Sequence, residues 1–468
     1  MLFEDKMKKL LREFNFFDKL ILYTVIFMTI IIFIGDNKFN YPIIVSITFF
    51  INGTIIIGGI NNSIKRKKNL LTAFWVFNFM FNFIAPLEQL ERGIFPFYNK
   101  VNYDDVVYAN ILLLLSYIII GLTSLKVKKS VKNNKTEKNR TPYESKNIQL
   151  KFLLAFVCLS TAICIYYIVS FGIKSLLFRS TATSLYESGT QFLIQGTVFP
   201  AILSATAIFS ILRYKNKHSF VNGFLVVYSI LILFLTFSPF SMARFKVATI
   251  YGALFLVMFP ALKKGERLAT LLILGLIYVF PLMSVFRNAN FNNIGILIKS
   301  SLTSIKENVL TGDYDTYSSI TVCIAFVREH GLSFGKQFLG VLLFFVPRSI
   351  WPQKPIGSGA FMASENSSSS FTNVSCQLIA EGYINFGFLG SILIMFIFSF
   401  FLRGIEENSV NKSCSDNFLK IVINNYLVFL LFFILRGDLL SSFSFSFGLI
   451  FITYIMGYIV SRCTKKIC

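Results

Sequence analysis

Twelve apolar runs limit what this chain can fold into more than any other feature. They lie at about 19–34, 43–60, 70–86, 105–125, 151–171, 191–212, 222–240, 245–262, 268–286, 377–402, 419–436 and 441–460, most of them near the ~20 residues that carry a helix across a bilayer. A lipid-exposed backbone must satisfy its own hydrogen bonds, so runs of this length are read as helices. The composition agrees: 54% of the 468 residues are hydrophobic and only 15% are charged. The expected fold class is an all-α polytopic membrane protein of twelve transmembrane helices, a single integral membrane domain over 1–468. The basic N-terminus leads straight into the first run without a small-residue cleavage site, so that run is read as a retained helix.

A formal charge of +22 first points to an anionic partner such as nucleic acid. Its distribution points to topology instead. With a cytoplasmic N-terminus, the segments assigned inside hold 30 of the 45 basic residues and a net charge of +20, leaving +2 outside. That is a positive-inside pattern, and it puts both termini in the cytoplasm of a multi-pass protein. No nucleic-acid partner is expected.

The two basic residue types divide differently. Lysines number 23 inside and eight outside, whereas arginines number seven on each side. Lysine is a solvated point charge that suits orientation, while the planar guanidinium grips phosphate or carboxylate with two parallel hydrogen bonds. The outer arginines are Arg92, Arg179, Arg244, Arg287, Arg328, Arg348 and Arg436. Two readings follow: contact with lipid headgroups and local ion pairing, or an anionic substrate on the outer face. As a set, they favour the substrate.

The longest outer segment, 287–376, separates the ninth and tenth runs. In it Ile294, Ile298, Leu302, Ile305 and Val309 recur at helical spacing, as in an amphipathic helix lying on the membrane. TGDYDTYSS (311–319) reads as a polar turn. The nine-residue apolar run 338–346 measures about 14 Å as helix and is too short to span. It delivers FFVPRSIWPQKP (344–355), where Pro347, Pro352 and Pro355 forbid regular helix. GSGAFMASENSSSS (357–370) reads as a solvated linker or a mobile flap. The seven cysteines form no CxxC or Cys/His cluster, and no carboxylate pair is placed for a cation; no metal and no cofactor are expected. Cys323 and Cys376 share the outer side and could pair.

PRSIWPQKP (347–355), followed by EGYINFG (381–387), resembles the oligosaccharide repeat-unit polymerases, the O-antigen polymerase (Wzy) group. Gly312-Asp313-Tyr314-Asp315 and Arg244 add weaker likeness. The resemblance implies a bundle similar to the GT-C glycosyltransferases. It implies a site facing the periplasm at the bacterial inner membrane. It also implies transfer of a growing glycan from undecaprenyl pyrophosphate onto the next lipid-linked repeat unit. Donor and acceptor would both be undecaprenyl-pyrophosphate-linked oligosaccharides, with a flippase and a chain-length regulator as partners. No nucleotide sugar would be required.

That chemistry assigns roles to residues. Breaking a sugar–phosphate bond builds negative charge on the leaving group, which preplaced guanidinium groups stabilise. Arg348, Arg244, Arg287 and Arg436 are the leading candidates, with Arg179 and Arg328 behind them. A base accepts the proton of the attacking hydroxyl. Glu381 leads, Asp313, Asp315 and His330 remain open, and an ion pair with an arginine is the alternative job for Glu381. Trp351, Tyr383 and Lys354 would meet sugar or the membrane interface, with interfacial anchoring the plainer role for the two rings. Two other functions compete: an O-antigen ligase, which uses the same kind of donor, and a flippase. A flippase calls for charges along several spans and two similar halves, whereas here the charges crowd at the outer ends.

Overall fold

The computed structural model describes residues 2–35, 37–97, 102–125, 148–177, 194–283, 295, 298–299, 304–365, 374–410 and 417–462, excepting the side chains of 2–15, 125, 365, 408–410, 417 and 461–462. Among them the chain is helical, with no strand. We label the principal helices α1 (Leu2–Ile34), α2 (Ile43–Lys65), α3 (Asn69–Arg92), α4 (Tyr103–Leu125), α5 (Leu150–Phe171), α6 (Ile194–Asn216), α7 (Phe220–Thr236) and α8 (Arg244–Met258). They continue as α9 (Gly265–Met283), α10 (Thr316–His330), α11 (Lys336–Leu342), α12 (Ser358–Glu365), α13 (Leu378–Val410), α14 (Asn417–Arg436) and α15 (Leu439–Arg462). Each of the twelve apolar runs is helical over most of its described residues. Among the described residues ten helices are long and apolar enough to cross a membrane; α7, with 17 residues, and α8, with 15, are shorter. This is an all-α polytopic membrane protein.

The bundle is built around α3, whose apolar stretch is buried on every side. It packs against α2, α9, α13 and α14. A helix that is apolar all round has no face to give to lipid or water, so it takes the centre. Its polar residues pair internally: Asn82 donates to Asn78 Oδ1 (2.8 Å), which also accepts from Tyr117 of α4 (2.9 Å). Helices α5, α6, α7 and α15 form a second group, joined to the first through α8 and α14.

Two parts of 287–376 depart from expectation. The 311–319 stretch is no solvated turn: Tyr314, Asp315, Thr316 and Tyr317 are buried, and they open α10, a helix packed against α4 and α13. Gln89 of α3 fixes the entry by donating to the carbonyls of Val309 (2.8 Å) and Tyr314 (3.0 Å). The start of the serine-rich stretch is likewise ordered, since Ser358, Met362 and Ala363 of α12 are buried; 366–370 lies outside the described residues. Of the expected amphipathic helix, 305–308 forms a single turn and Val309 is buried, while 294, 296–297 and 300–303 lie outside the described residues.

The tenth run is not one straight span. Within α13, Phe386 (φ −141°, ψ 22°) and Gly387 (φ 62°, ψ −146°) leave helical geometry. The Gly387 conformation is one that glycine alone adopts without strain. Ser391 Oγ then donates to the Ile379 carbonyl at 2.9 Å, although twelve residues of straight helix would separate them by about 18 Å. The arm 378–385 therefore folds back along 388–410. Gly382 and Gly390 make this possible, because a methyl added at Gly382 would lie 2.5 Å from the Gly390 carbonyl oxygen.

Candidate functional site

The doubled-back arm, the N-terminus of α8 and the α14–α15 turn meet at one end of the bundle. There Arg244, first residue of α8, forms a two-pronged ion pair with Asp313, and its guanidinium lies over the Phe280 ring (4.8 Å). Arg436, last residue of α14, lies over Phe245 (5.2 Å). Its Nη2 donates to Asp315 Oδ1 (2.9 Å) and to the Gly312 carbonyl (2.8 Å), and its Nε to the Asp313 carbonyl (3.1 Å). The GDYD turn thus sits between two guanidinium groups, each clamped to one of its carboxylates.

Asp315 extends the network. Its carboxylate, in a residue only 2% exposed, also accepts from the Ser375 amide (2.9 Å) and hydroxyl. Next in sequence, Cys376 lies beside Glu381, and burial, followed by the charge of Glu381, pushes its thiol well above the usual range. Cys323 and Cys376 are both buried free thiols, Cys323 donating to the Ala380 carbonyl (3.3 Å).

Glu381 sits on the short arm, 1% exposed. Its Oε1 accepts from the amide of Leu439, the first residue of α15 (2.7 Å), and its Oε2 from Ser358 of α12 (2.6 Å). A carboxylate at a helix N-terminus meets unpaired N–H groups and the positive end of the helix dipole. Asp438 caps the same helix by accepting from the Ser441 amide (2.9 Å). Among the described residues neither carboxylate pairs with an arginine; Arg179 and Arg287, two candidates for an ion pair with Glu381, lie outside them. A polar ladder therefore runs from Arg244 through Asp313, Arg436 and Asp315 to Ser375, and along the chain to Cys376, whose thiol hydrogen-bonds Glu381.

The proline-rich turn lies alongside, tied to itself. Arg348 is exposed and donates to the carbonyls of Lys354 (2.6 Å) and Pro355 (3.3 Å); Lys354 donates to those of Phe344 (2.6 Å) and Val346 (2.9 Å). Burial, then the neighbouring Arg348 charge, lowers the Lys354 pKa. Trp351, half-buried, donates its amide to the Pro347 carbonyl (3.1 Å). The turn leads through Gly357, packed against Asp438, directly to Ser358. Its apolar side chains Phe345 and Ile350 are exposed, as is Leu342 at the end of α11.

The other expected residues lie apart from the ladder. His330 is exposed at the end of α10, stacked on Phe326 (4.5 Å) with Nδ1 3.2 Å from the Phe326 carbonyl. Arg328 pairs with Asp105 of α4, and Tyr383 packs edge-on against Tyr108 (5.9 Å). Arg92 pairs with Glu88 (2.7 Å) and Glu307 (3.0 Å). Arg179 and Arg287 lie outside the described residues.

Sequence reasoning missed Ser358, Ser375 and Asp438. Only Asp438 carried a local signal, the Asp-x-x-Ser spacing of a helix N-cap.

No protein-family model, no curated protein and no solved structure matches this chain.

Proposed function

We propose that this chain is a glycosyltransferase that joins undecaprenyl-pyrophosphate-linked oligosaccharide repeat units, working at the periplasmic face of the bacterial inner membrane. The observation carrying this reading is the ladder joining two phenylalanine-backed guanidinium groups to a buried carboxylate, Glu381, at the arginine-bearing end of the bundle. The sequence likeness of 347–355 and 381–387 supports it, because both stretches border this ladder.

The roles follow from donor inventories. A guanidinium has five N–H donors. Arg436 commits Nε and Nη2 to its protein partners, leaving Nη1 to meet a pyrophosphate oxygen. Asp313 and Asp315 are positioning residues that hold Arg244 and Arg436 at fixed angles. As negative charge builds on the departing pyrophosphate, those fixed donors stabilise it without reorganising. Glu381 accepts the proton of the attacking sugar hydroxyl; its carboxylate keeps acceptor capacity beyond the bonds from Leu439, Ser358 and Cys376. The bond formed is glycosidic, the bond broken is sugar–phosphate, and the pyrophosphate-linked lipid leaves with the electron pair. Arg348 stiffens the turn that bears Trp351 and has three N–H donors left for headgroup or substrate phosphate.

Deleting the gene and running the surface polysaccharide on a gel tests this. Loss of the ladder with retention of a single capped repeat unit is the expected result. Loss of the single-unit band as well would point to a ligase or a flippase.

A further inference from the structure

At the opposite end of the bundle, where α8 finishes and α9 begins, lies a second polar region unconnected with this chemistry. A cavity of about 700 Å³ opens between α1, α2 and α9, and lysines 19, 65, 67, 263 and 264 line it. A smaller cavity of about 210 Å³ adjoins it, sharing Lys67, Asn69 and Lys263 and reaching Asn425 of α14.

Two wall groups have no partner among the described residues. Lys263 forms no hydrogen bond or ion pair, and burial, with Lys215 adding repulsion, lowers its pKa to about 8. It still carries its charge at neutral pH, in surroundings that oppose it. Asn425 is 3% exposed, and its Nδ2 has no acceptor. Such a donor, buried unpaired, costs stability unless something supplies an oxygen. Lys264, by contrast, is held by Asp18 (2.8 Å), and Glu266 is the one acid on the larger cavity's wall. The wall as a whole is strongly positive.

Below the lysines the lining turns apolar, with Leu22, Ile26, Ile57 and Ile60. Cations at a membrane-helix end above an apolar groove match a molecule with a phosphate at one end and hydrocarbon at the other. We propose that this cavity binds the headgroup of an anionic phospholipid, its phosphate oxygens facing Lys263, Lys65 and Lys67 and its acyl chains lying along the α1–α2 groove. The lipid would brace α1, which otherwise leaves much of its surface outside the bundle. A free phosphate could satisfy the same lysines, but it would have no use for the groove.

The test uses the full chain in detergent, followed by native mass spectrometry with phosphatidylglycerol, with phosphatidylcholine, and with inorganic phosphate or pyrophosphate as the soluble arm. Retention of phosphatidylglycerol over phosphatidylcholine is expected. Lys263→Gln and Lys65→Gln should each weaken that retention about fivefold, the usual worth of one basic residue near an anionic headgroup. Lys65 is exposed, so its variant reads the site even if Lys263→Gln fails to fold. Equal retention of the two lipids, or unchanged retention in Lys65→Gln, would overturn the proposal. Displacement of the lipid by millimolar inorganic phosphate would replace it with a free-anion site. All these readouts are binding, so they stand or fall apart from glycosyl transfer.

Discussion

Gly382 and Gly390 face each other across the fold of α13 with no room for a side chain on either, and this contact sets the position of Glu381. A straight helix over 378–410 would carry that carboxylate away from Ser358 and Leu439. Folded back, the arm holds it against both. Ser333 secures the arm's far end, its amide (2.9 Å) and hydroxyl (3.0 Å) both donating to the Ile384 carbonyl.

Gly390→Ala should therefore push the two arms apart, and Gly387→Ala should strain the turn by about 1–3 kcal/mol. Thermal unfolding in detergent should fall for both. A Gly121→Ala control, where an added methyl meets nothing within 4 Å, should unfold normally.

Breaking the Arg436–Asp315 pair should be costly, because it leaves a buried charge uncompensated. Asp315→Ala is expected to destabilise by about 3–5 kcal/mol. In a double-mutant cycle with Arg436→Ala, the two losses should not add. Additive losses would mean that the residues act separately.

Much of the fold was legible in the sequence, and the reason is physical. Apolar length is a local property, so all twelve runs could be found without tertiary knowledge. The break at Phe386–Gly387 was not legible, because a hydropathy pattern records what a side chain prefers and not where the backbone turns. Helix α10 escaped because its buried face includes Thr316, Ser318, Ser319 and Thr321; the last three turn their hydroxyls to carbonyls inside the bundle instead of marking a surface. Two of the outer arginines, Arg244 and Arg436, do meet at one end of the molecule. Their partners were hidden, since Arg244 and Asp313 lie 69 positions apart and Arg436 and Asp315 lie 121 apart.

Cys323 and Cys376 should remain thiols. Burial pushes both above the usual thiol range, so the reactive thiolate is scarce even at mildly alkaline pH. Maleimide should label neither at pH 8.5 in the folded protein, and both after denaturation without reductant. Protection that persists in denaturant until reductant is added would reveal a disulfide.

Arg348→Ala should loosen the proline-rich turn by removing the donors to Lys354 and Pro355, exposing 344–355 to limited proteolysis. Arg348→Lys restores charge without the fork and should recover only part of that protection. Equal protection in all three proteins would remove the turn-closing role.

The most direct measurement reconstitutes the purified chain with a lipid-linked repeat unit and follows multimer formation with release of the pyrophosphate-linked lipid. Wild type should build a ladder, and Glu381→Gln, folded to the same thermal stability, should slow it about 100-fold or more. A wild-type protein that leaves the repeat unit unjoined, or a Glu381→Gln variant that builds the ladder at the wild-type rate, would contradict the account.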